Sequence, residues 1–331
     1  MNNTSIEICS DGWDYDNASH NSHIIWSICG FVFITFGIPG HLFQILIMSN
    51  KTNRKEPTSL YWIAIAICEI TFLAGMFWLW CVSMSIIKID PREVFSCGIF
   101  YSILIGSTIL SNLYLASMSV NRAHMTISPI RHRLVITRRR IFIRILSILI
   151  TVIIIMIPHH FYFYYNSKTT IFICEFYTYI EPWKIHIWPF MHAILFVSLP
   201  SILTCISSVI LFWNRYTHRK SYPHRLSDTA RRMVRNSRLI LFISIAIFLS
   251  LLPTAILEIF IAHDLLFNQQ SPCTKRLKLY RILVNWFWIF STLTYAFKFY
   301  LRLAISKAFR RDFFELIRCS PRQEQNNNAQ N

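Results

Sequence analysis

The sequence is poor in glycine, 7 of 331 residues, and poor in charge, with Asp, Glu, Lys and Arg together making up 15%. Soluble domains carry about 25% charged residues, so a water-soluble globule is excluded. The machinery of the common enzyme classes is missing as well. There is no Gly-rich phosphate loop, no Gly-x-Ser-x-Gly and no pair of carboxylates within an apolar run. A membrane hydrolase built on a metal needs clustered ligands, commonly two histidines at helical spacing with a carboxylate. No apolar run holds His-x-x-x-His; His159 and His160 are adjacent, which sets them about 100° apart on a helix. No enzymatic activity, cofactor or metal is therefore expected. Paired broken spans related by internal symmetry, frequent in transporters and channels, are not seen either. Met1 to His23 lacks both a basic stretch and an apolar core, so no cleavable signal peptide is expected and insertion falls to the first apolar run.

What is present is apolar mass in long runs. Hydrophobic residues make up 54% of the chain, 27 of them phenylalanine, and mean hydropathy is +0.41. The fold class expected is an all-α membrane protein, a seven-transmembrane helix bundle with a short interfacial eighth helix. The net charge of +17 would suit nucleic acid, but the basic residues gather between alternate apolar runs: Lys51, Arg54 and Lys55, then Arg131 to Arg140, then Arg215 to Arg232, then Lys307 to Arg311. Before the first run stand Glu7, Asp11, Asp14 and Asp16 without Lys or Arg. The positive-inside rule puts the amino terminus outside and the carboxyl terminus inside, which demands an odd number of spans. The runs lie at about 24–49, 59–84, 96–125, 140–164, 184–214, 231–263 and 278–302, seven in all, followed by an amphipathic stretch at about 304–317 suited to the inner interface. Residues 1–23 read as an extracellular tail, 24–303 as the membrane domain and 304–331 as interfacial helix and disordered tail. Sequons at Asn2, Asn3 and Asn17 fit an outer, glycosylated tail. Cys319 follows the amphipathic stretch and is open to palmitoylation or to remaining a free thiol. Cys9, Cys97, Cys174 and Cys273 fall in segments assigned to the oxidising side, and connectivity is not readable from sequence. The basic clusters serve topology and attraction to anionic lipid, or a docking face for a cytoplasmic partner; nucleic acid is not expected.

Cys97 and Arg122 bracket the third run, about 25 residues and about 37 Å of helix apart, the depth of a tilted span. With seven spans, Cys174, Pro200 in the fifth run and Pro253 in Ser250-Leu251-Leu252-Pro253 of the sixth, the chain resembles a divergent rhodopsin-like (class A) G-protein-coupled receptor over about residues 23–319. It is similar in places to invertebrate neuropeptide (FMRFamide-type) receptors. The departures are specific. Asn121-Arg122-Ala123 stands for the family's Asp-Arg-Tyr, Gly40-His41 for Gly-Asn, and Glu69 in Ile65-Ala66-Ile67-Cys68-Glu69 for an aspartate. The fourth run has no tryptophan, and Lys298-Phe299-Tyr300-Leu301-Arg302 lines up with Asn-Phe-x-x-Tyr. The resemblance implies a disulfide from Cys97 to Cys174, with Cys9 to Cys273 as a second candidate. It also implies an extracellular ligand, a heterotrimeric G protein contacting Arg122, membrane lipids around the bundle, and a plasma-membrane location with the amino terminus outside.

The ligand is expected in the outer third, where Trp80, Tyr101, Thr108, Trp188, His192, Trp288 and Arg281 form an aromatic bowl with Glu258 as its acid. The aspartate by which amine receptors hold their ligand has become Leu104, so a short peptide is favoured over an amine. Glu258 either meets a ligand cation or pairs with Arg281 or Lys278. The alternative functions are a chemosensory receptor for a small non-peptide ligand and, further off, a transporter or membrane hydrolase. Arg122 lacks the family's neighbouring acid, so basal signalling is expected. The family's mid-membrane sodium ligands map to Glu69, Ser111 and Lys298, with His41 nearby. A lysine there brings its own cation, and because side chains tilt toward the start of their own helix, Glu69 and Lys298 are expected to converge near the midplane.

Overall fold

The computed structural model describes residues 26–54, 56–127, 137–165, 174–176, 187–221, 228–267 and 275–317. Seven long helices make the bundle. α1 is Trp26–Ser49, α2 Ser59–Ser83, α3 Cys97–Ile127 and α4 Arg138–Tyr162. α5 is built from three consecutive pieces, Trp188–Met191, the wider π-helical His192–Ser198 and Leu199–Ser221. α6 spans Asp228–Phe267 and α7 Lys275–Ile305, and α8, Lys307–Ile317, follows at once after Ser306. Among the described residues, α1 to α6 contain stretches long and apolar enough to cross a membrane. α7, with 31 residues, is also long enough, and its Lys298 and polar neighbours make it less apolar. The helices match the seven apolar runs to within a few residues in the membrane. The main differences are at α5, which begins four residues after its run does and continues seven residues past it to Ser221, and at α6, which is 40 residues long and extends past both ends of its run. A helix of that length measures about 60 Å, twice a hydrocarbon core.

α3 is the hub, packed against α2, α4, α5 and α6, and α7 closes the ring by touching α6, α1 and α2. The close approach of α1 to α7 needs small residues. A Cβ on Gly40 would stand 3.1 Å from Phe299 and one on Gly37 would stand 3.1 Å from the Cβ of Ala296, both on α7 and tighter than ordinary contact. Buried side chains form two clusters. One, with Phe33, Phe72, Leu104 and Tyr295, fills the space between α1, α2, α3 and α7. The other runs through the rest of the bundle from Trp188 and Phe196 to Phe309 of α8.

Two prolines leave the same mark. Pro39 and Pro200 each follow a π-helical turn, Phe33–Gly37 and His192–Ser198, in which the backbone N–H of Ile38 bonds the carbonyl of Phe33 and that of Leu199 the carbonyl of Ile194. A proline removes one rung and crowds the carbonyl four residues back, and the wider turn relieves both. In the turn before Pro253 of α6, the carbonyl of Ser250 lies 3.0 Å from the hydroxyl of Ser291 on α7, which also lies 2.8 Å from the carbonyl of Phe287 on its own helix. Outside the helices, β1 (Phe163–Tyr165) and β2 (Cys174–Phe176) pair antiparallel with Tyr165 opposite Cys174, an element that no apolar run announced.

Candidate functional site

The middle of the bundle holds four polar side chains from four helices. Glu69 (α2), Lys298 (α7) and His41 (α1) are 1%, 2% and 0% exposed, and Ser111 (α3) is also wholly buried. Lys298 Nζ pairs with Glu69 Oε1. Ser111 donates to the same oxygen at 2.6 Å and lies 3.2 Å from Lys298 Nζ. His41 Nε2 donates to the backbone carbonyl of Tyr295 at 3.0 Å, leaving Nδ1 3.2 Å from Glu69 Oε2. The carbonyl cannot donate, so Nε2 carries the hydrogen, and the His41 ring is held in a fixed orientation by α7. The ring of Tyr295, 4.9 Å from the ammonium, covers it on another side, and its hydroxyl reaches Asn112 at 3.4 Å. These four groups do not fit a sodium ion. The ammonium lies on the carboxylate oxygen that would ligate the metal, and Lys298, with three N–H donors and no acceptor, has nothing to offer a cation.

The inner end is organised differently. Asn121 donates Nδ2 to the hydroxyl of Tyr61 on α2 at 2.9 Å and accepts from Arg144 of α4. Tyr61 reaches on to Ser117 at 2.9 Å. Asn121 therefore ties α3 to α2 and α4, and Arg122 beside it is buried. Arg302, one turn beyond Lys298, is 7% exposed and is held chiefly by rings. Its guanidinium carbon stands 3.8 Å from the Trp62 ring and 4.3 Å from Phe309, Nη2 meets the sulfur of Met48 at 3.6 Å, and Nη1 has no hydrogen-bond partner among the described residues. Tyr61, Trp62 and Arg144 were not singled out by the sequence, and Phe309 was read only as part of the apolar face of the amphipathic stretch. Trp62 had one signal, an arginine at the end of an apolar run, which calls for rings or a carboxylate nearby.

At the outer end, Glu258 of α6 is bound to His192 of α5, 2.9 Å from Oε2 to Nδ1, and Trp188 stacks on the imidazole with ring centres 5.8 Å apart. The side chains of Arg281 and Lys278, the other partners expected for Glu258, lie outside the described residues. Trp80 faces α1: its indole N–H reaches the carbonyl of Ser27 at 3.1 Å, and the ring lies so close to Gly30 that a Cβ there would overlap it. Thr108 closes its hydroxyl on Ile105 of its own helix at 2.8 Å, Tyr101 lies edge to face with Phe100, and Trp288 is tilted against Phe72. Pro200 and Pro253 lie in the fifth and sixth helices, each within a helical stretch. Cys97 is buried and disulfide-bonded. The side chain of Cys174, and Cys9, Cys273, Asn2, Asn3, Asn17 and Cys319 altogether, lie outside the described residues. In the connection before α3, Asp90 accepts hydrogen bonds from the backbone N–H and the guanidinium of Arg92. Burial pushes the Asp90 carboxyl up, but these bonds and the Arg92 charge outweigh it and hold it below the ordinary carboxylate range.

A family model described as the 7 transmembrane receptor (rhodopsin family) matches residues 40–295, most of the chain, from within α1 to within α7. The chain belongs to the rhodopsin family of seven-transmembrane receptors. It is a multi-pass membrane receptor, and no enzyme. Comparison with curated proteins gives no match. The match ends at residue 295, so Lys298 and Arg302 lie beyond it, whereas His41, Glu69, Ser111 and Asn121 lie within it.

Proposed function

We propose that this receptor sits in the plasma membrane with its amino terminus outside, binds a short peptide at the outer end of the bundle and activates a heterotrimeric G protein inside. The observation that carries the ligand class is Glu258. It is a carboxylate on α6 that keeps 24% of its side chain exposed and is held by His192, on whose imidazole Trp188 stacks. A partly exposed carboxylate beside a stacked indole suits a cationic group, such as an arginine side chain or an amino terminus, with an apolar side chain near the ring. Binding of such a group would compete with His192 for Glu258 and so bias the spacing of α5 and α6, the two helices whose inner ends open in a two-state bundle. On the inner side, Arg122 and the basic ends of α5 and α6 supply the docking face. A disulfide from Cys97 to Cys174 would fix the outer end of α3 to β2.

Screening peptide pools against cells expressing the chain tests the reading, with Glu258→Gln as the control. A cationic peptide that activates the wild type should lose potency about tenfold or more with Glu258→Gln, whose amide keeps the shape and loses the charge. Activation by an apolar small molecule, equal in both, would favour a chemosensory receptor instead.

A further inference from the structure

Two histidine–carboxylate pairs lie inside the bundle, and they differ in their access to water. At the centre His41 and Glu69 are wholly buried, whereas at the outer end His192 and Glu258 keep 8% and 24% of their side chains exposed, so protons in the outer solution reach the second pair. His192 donates from Nδ1 to Glu258 Oε2 at 2.9 Å, and the indole of Trp188 lies within 10° of parallel to the imidazole. The pair joins α5 to α6 outward of the weak point of each helix. His192 opens the π-helical turn His192–Ser198 that precedes Pro200, and Glu258 follows Pro253 by five residues within α6. A π-helical turn and an interior proline are where helices bend, so a bond between the two outer arms sets the angle at both.

The surroundings leave this pair electrically alone. The turn that carries His192 packs on α3 and α6. α3 has no Asp, Glu, Lys, Arg or His from Cys97 to Asn121, and its titratable group at this end is the Tyr101 phenol, of a type that ionises near pH 10. On α6, Glu258 is the one such residue between Arg238 and His263, and on α5 His192 is the one from Ile187 to Asn214. His263 and Asp264, more than a turn beyond Glu258, lie 3.8 Å from each other. Between about pH 5 and 8 the pair therefore changes by a single event, the protonation of an imidazole.

We infer that the His192–Glu258 bond is a proton-operated latch between the outer arms of α5 and α6, tightened by acid in the outer solution and loosened as the pH rises. With a neutral imidazole the bond is a single N–H donor on a carboxylate. A second proton on the ring adds the attraction of opposite charges, which water screens little at a site this buried. It also places a cation over the face of Trp188, a further attraction. The loosened form leaves Glu258 to another cation. Resting on the reading of Glu258 as the ligand's anchor, the latch makes acid a competitor of a cationic ligand.

The test needs neither ligand nor G protein, so its failure strikes the latch alone, and a peptide screen without a hit leaves the latch standing. The purified, ligand-free full chain is melted at pH 8 and at pH 5.5 as wild type, His192→Gln, Glu258→Gln and the double variant. Glutamine keeps a hydrogen bond at either position and does not titrate, so the cycle isolates the charge. The non-additive part of the melting temperature should be about 1 °C or less at pH 8 and about 3 °C or more at pH 5.5. A non-additive part that is equal at the two pH values, or larger at pH 8, overturns the proposal. A second measurement uses the wild type alone. Backbone hydrogen exchange in the turn 192–198, corrected for the effect of pH on intrinsic rates, should be about fivefold or more slower at pH 5.5 than at pH 8. Equal corrected rates contradict the latch even where the variants melt too low to compare.

Discussion

α7 buries two cations one helical turn apart and treats them in opposite ways. Lys298 meets a carboxylate, a serine and the face of a tyrosine ring at mid-membrane, whereas Arg302 lies between Trp62 and Phe309, with Met48 at its edge. The chemistry of the two side chains explains the choice. An ammonium is a compact, strongly hydrated charge that needs an anion when water is taken away, while a planar, weakly hydrated guanidinium can lie on rings. Position matters too. An ion at the bilayer centre has no water within reach and costs about 2.5 to 3.5 kcal/mol or more, but one near the inner end has polar surroundings close by. The middle of the receptor is therefore fixed by charge neutralisation and its inner end by ring stacking on Arg302 and the amide hydrogen bonds of Asn121.

Breaking the central pair should have the largest effect. Removing one partner of a buried pair typically costs about 3–5 kcal/mol. Glu69→Gln, which strands the ammonium, should nearly abolish surface expression. Lys298→Met should be milder, because Glu69 keeps its hydrogen bond from Ser111 and its contact with His41. Surface antibody labelling of the two variants checks the order, and the exchange Glu69→Lys with Lys298→Glu should recover part of the signal. At the inner end, Trp62→Leu should lower stability by about 1–2 kcal/mol, the range of a desolvated cation on a ring. Arg302→Lys should resemble Trp62→Leu more than wild type, since it keeps the charge and loses the flat stack. Thermal melting of the purified receptor distinguishes these from the central pair.

A smaller effect is expected at Asn121. Arg144 already reaches its side-chain oxygen, so Asn121→Asp should make an ion pair with α4 worth about 0.2–1 kcal/mol. The gain in melting temperature should vanish in the double variant with Arg144→Ala. The expectation of basal signalling is tested in the same cells: if agonist-free signalling is present and falls in Asn121→Asp but not in the double variant, the α3–α4 tie restrains the bundle. The smallest effect concerns Asp90. Its carboxyl is held below the ordinary value near 3.9, so its contribution to stability is fully present above that pH and is lost as pH falls through the lower folded value. Asp90→Asn should flatten the acid limb of a melting profile and leave the profile above about pH 5 unchanged.

The bundle itself was readable because seven apolar runs of membrane length and alternating basic clusters are strong, redundant signals. The convergence of His41, Glu69, Ser111 and Lys298 was approached through side-chain tilt and family register, since an ion in hydrocarbon restricts where its partner lies. The partners of Asn121 and Arg302 were out of reach for a different reason. Aromatic rings and amides are abundant in every run, so nothing in the order of residues distinguishes Tyr61 or Trp62 from a ring that faces lipid. The hydrogen bond from Ser291 to the turn before Pro253 was equally silent, because a serine closing on its own helix looks the same in sequence. Trp80 shows the limit from the other side: an aromatic at the outer end of α2 suits a ligand bowl, but the small Gly30 on α1 made room for it elsewhere.

At mid-membrane this receptor carries its own cation, Lys298, on the carboxylate of Glu69 beside Ser111, which leaves no room there for sodium. The direct measurement is the melting temperature of the purified, ligand-free receptor in sodium chloride against choline chloride at equal ionic strength, for wild type and for Lys298→Asn. Wild type should melt at the same temperature in both salts, and Lys298→Asn, which restores an oxygen ligand beside Glu69 and Ser111, should gain stability in sodium. A wild-type receptor that sodium stabilises by several degrees would contradict the account.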